Sequence, residues 1–350
     1  MQTRRDLLVS AAAAGLALAT PSIIRASDKR FDGITLNLNG FGGDFDRIMK
    51  ETVADPLKAE TGLSVTYAPG GSSAAVAKTI ATPDNPPFDI VLCDSPSVPE
   101  LLKADMIQPI STDEVPNAAN LIPGLPEFDD RGLPFMISSS VVTYNTEAVN
   151  EPVASYADLA RPGLKGEVAL FNLENTGGIL YLLALAESNG GGVDNIDPAF
   201  DALEKIKPNI VTLTSSTTSL IQLFEQREAS AGALWNGRVF AMQKAGQPMA
   251  MVTPTEGLYS LMSYYNPIKG SKNPDAVRAY LDRALSDEAI GAIASFFRYG
   301  PTTSISLPSD VAKDIVSFGK DGLGKIRKLD WTKVAEARPG WMERFNQAMR

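Results

Sequence analysis

The chain has 350 residues, of which 44% are hydrophobic and 21% charged; it can bury a large core, and its length favours two lobes over one compact unit. Acidic residues outnumber basic ones by 41 to 32, a formal charge of −9, which argues against nucleic acid or an anionic membrane surface as the main partner. Zero histidines removes Ser-His-Asp and Cys-His nucleophile schemes and histidine-ligated metal sites.

Residues 1–26 read as an export signal. Arg4-Arg5 precede an apolar run from Leu7 to Ala19 that is short for a bilayer span, and Ile24-Arg25-Ala26 offers a cleavage site before Ser27. Thr3-Arg4-Arg5-Asp6-Leu7-Leu8 resembles a twin-arginine signal, with an ordinary Sec signal as the alternative. The mature chain is expected to be soluble and periplasmic.

After the signal, Ile34 to Leu38 alternates as a strand does, and Gly40-Phe41-Gly42-Gly43 turns the chain. A helix through Phe45, Ile48, Met49 and Val53 follows, with Asp44 as its expected N-cap, Pro56 as a break or kink and Gly62 as its end. Leu63 to Tyr67 is a second strand, Gly70-Gly71-Ser72-Ser73 opens a second helix, and Phe88 to Leu92 is a buried strand. Cys93 follows that run; alone in the chain, it forms no intrachain disulfide and reads as a small buried apolar residue. This βαβαβ order predicts a mostly parallel sheet with helices on both faces, whose ligands bind beyond the carboxyl ends of the strands.

Phe135 to Tyr144 is apolar and β-branched enough for a long strand crossing between lobes. The second lobe then alternates strands (Glu167 to Phe171, Ile210 to Leu213, Ser230 to Trp235, Met249 to Thr253) with helices (Ser155 to Leu159, Ile179 to Ala186, Ala199 to Lys205, Ser219 to Gln226, Gly237 to Lys244). Tyr259 to Pro267 crosses back, and helices Pro274 to Leu285 and Asp287 to Phe297 precede an amphipathic tail around Trp341, Phe345 and Met349. The expected lobes are 31–138 with 262–302, and 139–261 with 303–350.

Several stretches, in this order, resemble the extracellular solute-binding proteins of ABC importers, specifically the spermidine/putrescine-binding branch. They are Met106-Ile107-Gln108-Pro109-Ile110, Tyr144-Asn145, Ser155-Tyr156-Ala157-Asp158-Leu159, and Pro162-Gly163-Leu164-Lys165-Gly166-Glu167-Val168. Then come Ala233-Leu234-Trp235-Asn236-Gly237, Ala245-Gly246-Gln247-Pro248, Thr253-Pro254-Thr255-Glu256-Gly257, Lys272-Asn273-Pro274 and Tyr299-Gly300-Pro301-Thr302. The resemblance implies a type II periplasmic-binding-protein fold of the α/β class, each lobe a mostly parallel sheet flanked by helices. It further implies a monomer that closes on a small-molecule solute and delivers it to an ABC permease in the inner membrane, without catalysis, cofactor or metal.

The lobe interface is where closure buries a small ligand. In the family, the tryptophan matching Trp235 stacks on the solute's alkyl or ammonium part; Phe41 and Gly42 are expected to face it from the other lobe. Asp94 and Ser95 match a family contact region, with loop capping as the other account. Ser72, Thr176 and Gly177 stand where helices begin, positions at which free backbone N–H groups receive anions. Arg238 is placed to clamp a carboxylate. Tyr259 is expected as a pocket wall, with core packing as the competing account.

The chain departs from the polyamine binders at the acids that read a diamine. It has Leu258-Tyr259-Ser260-Leu261-Met262-Ser263 where they carry an aspartate, and Asn175-Thr176-Gly177-Gly178-Ile179 where they carry two acids. The expected solute therefore bears an ammonium together with an acidic group: an amino acid derivative, an opine-like conjugate or a betaine, with a polyamine as the family default. Ferric ion or a phosphonate is the alternative within the superfamily. The adjacent Tyr264 and Tyr265 invite the iron reading, but strand alternation sends their rings to opposite faces. An exported carboxylate-dependent hydrolase or lyase using Glu174, Asp94 or Glu256 is the alternative of another class.

Overall fold

The computed structural model describes residues 29–350; residues 1–26, expected as an export signal, lie outside them. Strand β1 (Thr35–Gly40) leads to helix α1 (Gly43–Met49), whose N-cap is Gly42, at φ 80°, and not the expected Asp44. Asp44 instead pairs with Arg47 one turn on, while the Gly42 N–H is taken by the Asp46 carboxylate. A π-turn over Lys50–Ala54 joins α1 to α2 (Asp55–Thr61). Pro56 has no N–H to give the Thr52 carbonyl; the chain widens its turn just ahead of the proline, and the Arg283 guanidinium donates to that oxygen at 3.0 Å. Gly62 ends α2 in the left-handed region, at φ 83°.

The first half continues with β2 (Ser64–Pro69), α3 (Ser72–Ala81), β3 (Ile90–Asp94) and α4 (Val98–Lys103). β1 pairs parallel with both β2 and β3, but its main-chain register with β3 is a single pair, Leu38 with Ile90. Asn39 extends it: the buried amide donates to the Leu92 carbonyl and accepts from the Leu92 N–H, both at 2.8 Å. A side chain thus imitates a peptide unit at the carboxyl end of the sheet.

Next comes the crossing strand β4 (Leu133–Asn145), buried along its whole length. The second half follows as β5 (Val168–Phe171), α5 (Thr176–Ser188), α6 (Asp197–Ile206), β6 (Ile210–Thr214), α7 (Thr217–Glu225), β7 (Ala231–Trp235), α8 (Asn236–Lys244) and β8 (Met249–Val252). The return strand is β9 (Tyr259–Pro267), then α9 (Pro274–Ala284), α10 (Asp287–Phe297), the short β10 (Gly300–Pro301), α11 (Ser309–Ala312), α12 (Gly319–Gly324) and α13 (Trp331–Ala348).

The strands form one curled sheet in the order β2-β1-β3-β9-β4-β7-β5-β6, with β10 and β8 also on β4. The parallel triplets β2-β1-β3 and β6-β5-β7 are separated by the antiparallel crossing pair β9 and β4. This is the expected α/β architecture of two parallel half-sheets covered by helices. Tyr264 and Tyr265 enter two different apolar cores: Tyr265 stacks on Phe135 with ring centroids 4.0 Å apart, and Tyr264 meets Phe128 edge-on. Cys93 is fully buried, and burial pushes its thiol pKa up. The C-terminal α13 packs against α4 of one half and α6 of the other.

Candidate functional site

Every parallel strand of both half-sheets ends at the same place. β1 leads to Phe41, β2 leads to Gly71 and Ser72, β3 ends at Asp94, β5 leads to Glu174 to Thr176, β6 leads to Thr217 and β7 ends at Trp235; all of these line one cleft of about 380 Å³. Met136 and Ser138 of β4, Leu261 and Ser263 of β9, and Phe297 and Tyr299 complete its floor and walls.

The wall of the first half carries a carboxylate. Ser263 donates to Asp94 Oδ1 at 2.6 Å and Ser72 donates to Oδ2 at 3.2 Å, while the Asp94 N–H donates back to the Ser72 hydroxyl. Burial raises the Asp94 pKa and the two hydroxyl donors only partly offset it. Above that shifted pKa, Asp94 is a desolvated anion that gains from a cationic partner. Beside it Phe41 packs on Phe45 with centroids 5.0 Å apart, offering an apolar face.

The opposite wall carries an indole and a guanidinium. Trp235 is partly exposed, with its ring 6.2 Å from that of the buried Phe171. Arg238 is exposed, one turn into α8, and its guanidinium lies over the Phe297 ring at 5.8 Å. Burial raises the Tyr299 pKa, against a lowering by Arg238 and with a further rise from Asp94; both charges thus act on the same hydroxyl. Glu174 stands exposed at the mouth.

Of the ten residues singled out from sequence, Trp235, Phe41, Ser72, Asp94, Thr176 and Arg238 line this cleft, and Gly42, Ser95, Gly177 and Tyr259 do not. Ser95 is buried beneath it, donating to Glu127 Oε2 at 2.6 Å and accepting from the Met262 N–H at 3.0 Å. The same Glu127 accepts from Tyr264 at 3.2 Å and from the Trp331 indole at 2.8 Å. Tyr259 is fully buried because α5 covers that end of β9; its hydroxyl donates to Glu187 of α5 at 2.6 Å, and burial raises its pKa. The N-terminus of α5 is capped from within. Asn175 accepts from the Gly177 N–H through its side chain and from the Gly178 N–H through its carbonyl, both at 2.9 Å, so neither donor is free for an anion. Gly42 caps α1 and turns its N–H inward.

Ser263, Phe297 and Tyr299 were missed as site residues. Ser263 sits in the segment where the polyamine binders carry an aspartate, and alternation from Leu261 is the signal that could have found it. Glu256 lies outside the cleft and accepts from the Ala157 N–H at 3.1 Å.

Two parallel half-sheets joined by crossing strands, with an amphiphilic cleft between them, define a two-lobed binding protein. The chain belongs to the family described as bacterial extracellular solute-binding protein, which matches residues 52–317. It is 27% identical over 302 residues to the spermidine/putrescine-binding periplasmic protein of Escherichia coli (strain K12), covering 83% of this chain and 85% of that one. It is 23% identical over 280 residues to the gamma-aminobutyric acid-binding protein of Pseudomonas aeruginosa, covering 76% of each. Among solved structures it resembles an ABC transporter from Clostridium perfringens, with a TM-score of 0.78 at 24% identity over 90% of this chain and 100% of that one. Among the described residues, no helix is long and apolar enough to cross a membrane.

Proposed function

We propose that this chain is the periplasmic receptor of an ABC importer, capturing a small solute that carries an ammonium and a carboxylate and delivering it to the inner-membrane permease. The observation that carries this reading is the pairing of Asp94 on one wall with Arg238 and Trp235 on the other. The ammonium sits at Asp94, shielded by the faces of Phe41 and Trp235. The carboxylate meets Arg238, whose planar fork suits two parallel hydrogen bonds. One relative is named for polyamines and another for γ-aminobutyrate; an ammonium is common to both, and a carboxylate belongs to the second alone.

The lobes are 31–138 with 262–302 and 139–261 with 303–350, acting as a monomer exported by the twin-arginine route and cut before Ser27. The solute closes them because it touches both walls at once and so binds the closed state better than the open one. A diamine is the second reading, favoured by Glu174, which with Asp94 places a carboxylate on each wall. A thermal-shift screen of the mature protein against polyamines, amino acids, opines, betaines and phosphonates separates the two, since a tight ligand raises the melting temperature by mass action. Amino-carboxylates should give the largest shifts. Large shifts with putrescine or spermidine and none with amino-carboxylates would overturn the primary reading.

A further inference from the structure

Asn236 stands between two cleft residues, Trp235 and Arg238, yet does not line the cleft and is fully buried. Its amide is used at both ends. The Ser139 N–H, on crossing strand β4, donates to Asn236 Oδ1 at 3.1 Å, and Asn236 Nδ2 donates to the Arg298 carbonyl at 2.8 Å. The neighbours of these partners are themselves cleft residues: Ser138 beside Ser139, and Phe297 and Tyr299 on either side of Arg298. One side chain therefore joins three segments that form the site: the start of α8, the crossing strand β4, and the turn from α10 into β10.

Three further features hold this junction. Arg298 ends α10 in the left-handed region, at φ 58°, which is unfavourable for a residue with a β-carbon. Its guanidinium crosses back to lie 4.4 Å over the Phe240 ring of α8. Gly237 lets the two backbones approach, because a Cβ there would collide with the Phe297 carbonyl oxygen and the Tyr299 ring. The contact is thus reciprocal: α8 takes the carbonyl of Arg298, and Arg298 covers a ring of α8.

We propose that Asn236 is a positioning residue for solute binding. It sets the separation of the wall bearing Trp235 and Arg238 from the wall bearing Phe297 and Tyr299, without touching the solute. The proposal rests on the reading of the cleft as the solute site, and the test keeps the two apart.

Asn236→Asp keeps the shape and the acceptor for Ser139 but places a carboxylate oxygen against the Arg298 carbonyl; Asn236→Ser removes the reach to Arg298 and is read instead if the aspartate variant does not fold. Three quantities are measured on folded protein well below its melting temperature. They are hydrogen-exchange protection of the Ser139 amide, the radius of gyration by small-angle scattering without solute, and affinity for γ-aminobutyrate and for putrescine by calorimetry. Asn236→Asp should keep Ser139 protected, enlarge the solute-free radius of gyration and weaken the solute that wild type binds by about 10-fold or more. Wild-type affinity and an unchanged radius in a folded variant would overturn the proposal. If wild type binds neither probe, the scattering arm decides alone: an enlarged radius supports the spacing role of Asn236 and an unchanged one overturns it, while the solute reading is tested separately by the thermal-shift screen.

Discussion

Asp94 and Ser263 oppose each other in the antiparallel ladder of β3 with β9, and the Ser263 hydroxyl donates to Asp94 Oδ1 at 2.6 Å. A residue of the crossing strand thereby holds the carboxylate of the cleft. Ser72, at the start of α3, holds the other oxygen. The carboxylate is fixed in direction before any solute arrives, so the ammonium proposed to bind there would pay little to orient it.

The raised pKa of Asp94 gives two pH dependences of opposite sign. An ammonium needs the ionised carboxylate, so affinity should fall as pH drops through the shifted pKa, above the usual aspartate range. Without solute, the folded state binds more protons than the unfolded state between the unfolded and the shifted pKa; stability should rise on acidification through that window. Asp94→Asn should abolish this part of both trends and weaken amine binding by about 1.5–3 kcal/mol, the range for hydrogen bonds to charged groups. Calorimetry and thermal melts from neutral pH to about pH 4 read both. An Asp94→Asn protein with wild-type affinity contradicts the assignment.

Trp235→Ala should weaken amine solutes by about 0.5–2 kcal/mol from the lost cation–π contact alone, more if apolar area goes with it. Because the ring is partly exposed, packed against the apolar cores at their margin beside Phe171 and not buried within them, the melting temperature should move by a few degrees at most. A large fall in melting temperature with unchanged affinity would make the residue a core tryptophan.

Arg238→Ala separates the two solute readings. Carboxylate-bearing solutes should lose about 1.5–3 kcal/mol of affinity, and a diamine should lose none, since it offers the guanidinium no anion. Equal losses for γ-aminobutyrate and putrescine would show that Arg238 acts through packing on Phe297.

Glu127 joins the chain behind the cleft, accepting from Ser95, Tyr264 and Trp331. Burial raises its pKa, with those three donors opposing the rise. By the same sign, its share of stability falls as pH rises through the shifted pKa. Glu127→Gln should flatten that slope and, having one acceptor oxygen in place of two, lose hydrogen bonds to Ser95 or Tyr264. Melting temperature against pH checks the first effect; a shift in Trp331 fluorescence checks the second. A slope identical to wild type would place the titration elsewhere.

The architecture was legible where the pattern was long. Phe135 to Tyr144 and Tyr259 to Pro267 announce the crossing strands by unbroken apolar and β-branched content, and they are β4 and β9. Trp235 was legible through the family resemblance of Trp235-Asn236-Gly237, and Asp94 through the same resemblance together with its place at a strand's carboxyl end, where ligands of an α/β sheet sit. Tyr259 and Ser95 were not, because their fate depends on what packs over them: α5 in one case, Glu127 and Trp331 in the other. The capped start of α5 was equally hidden, since Asn175 can either present or consume the helix's first donors. α12 has a glycine at each end and a third, Gly322, within it, and so no periodicity to read.

The most direct test of the central claim is calorimetric titration of the mature protein with γ-aminobutyrate, in wild type, Asp94→Asn and Trp235→Ala. Saturable one-to-one binding that is weakened by each substitution, with the solute recovered intact, is the predicted result. Binding that both variants retain at wild-type strength would mean that the solute sits elsewhere and would contradict the cleft assignment.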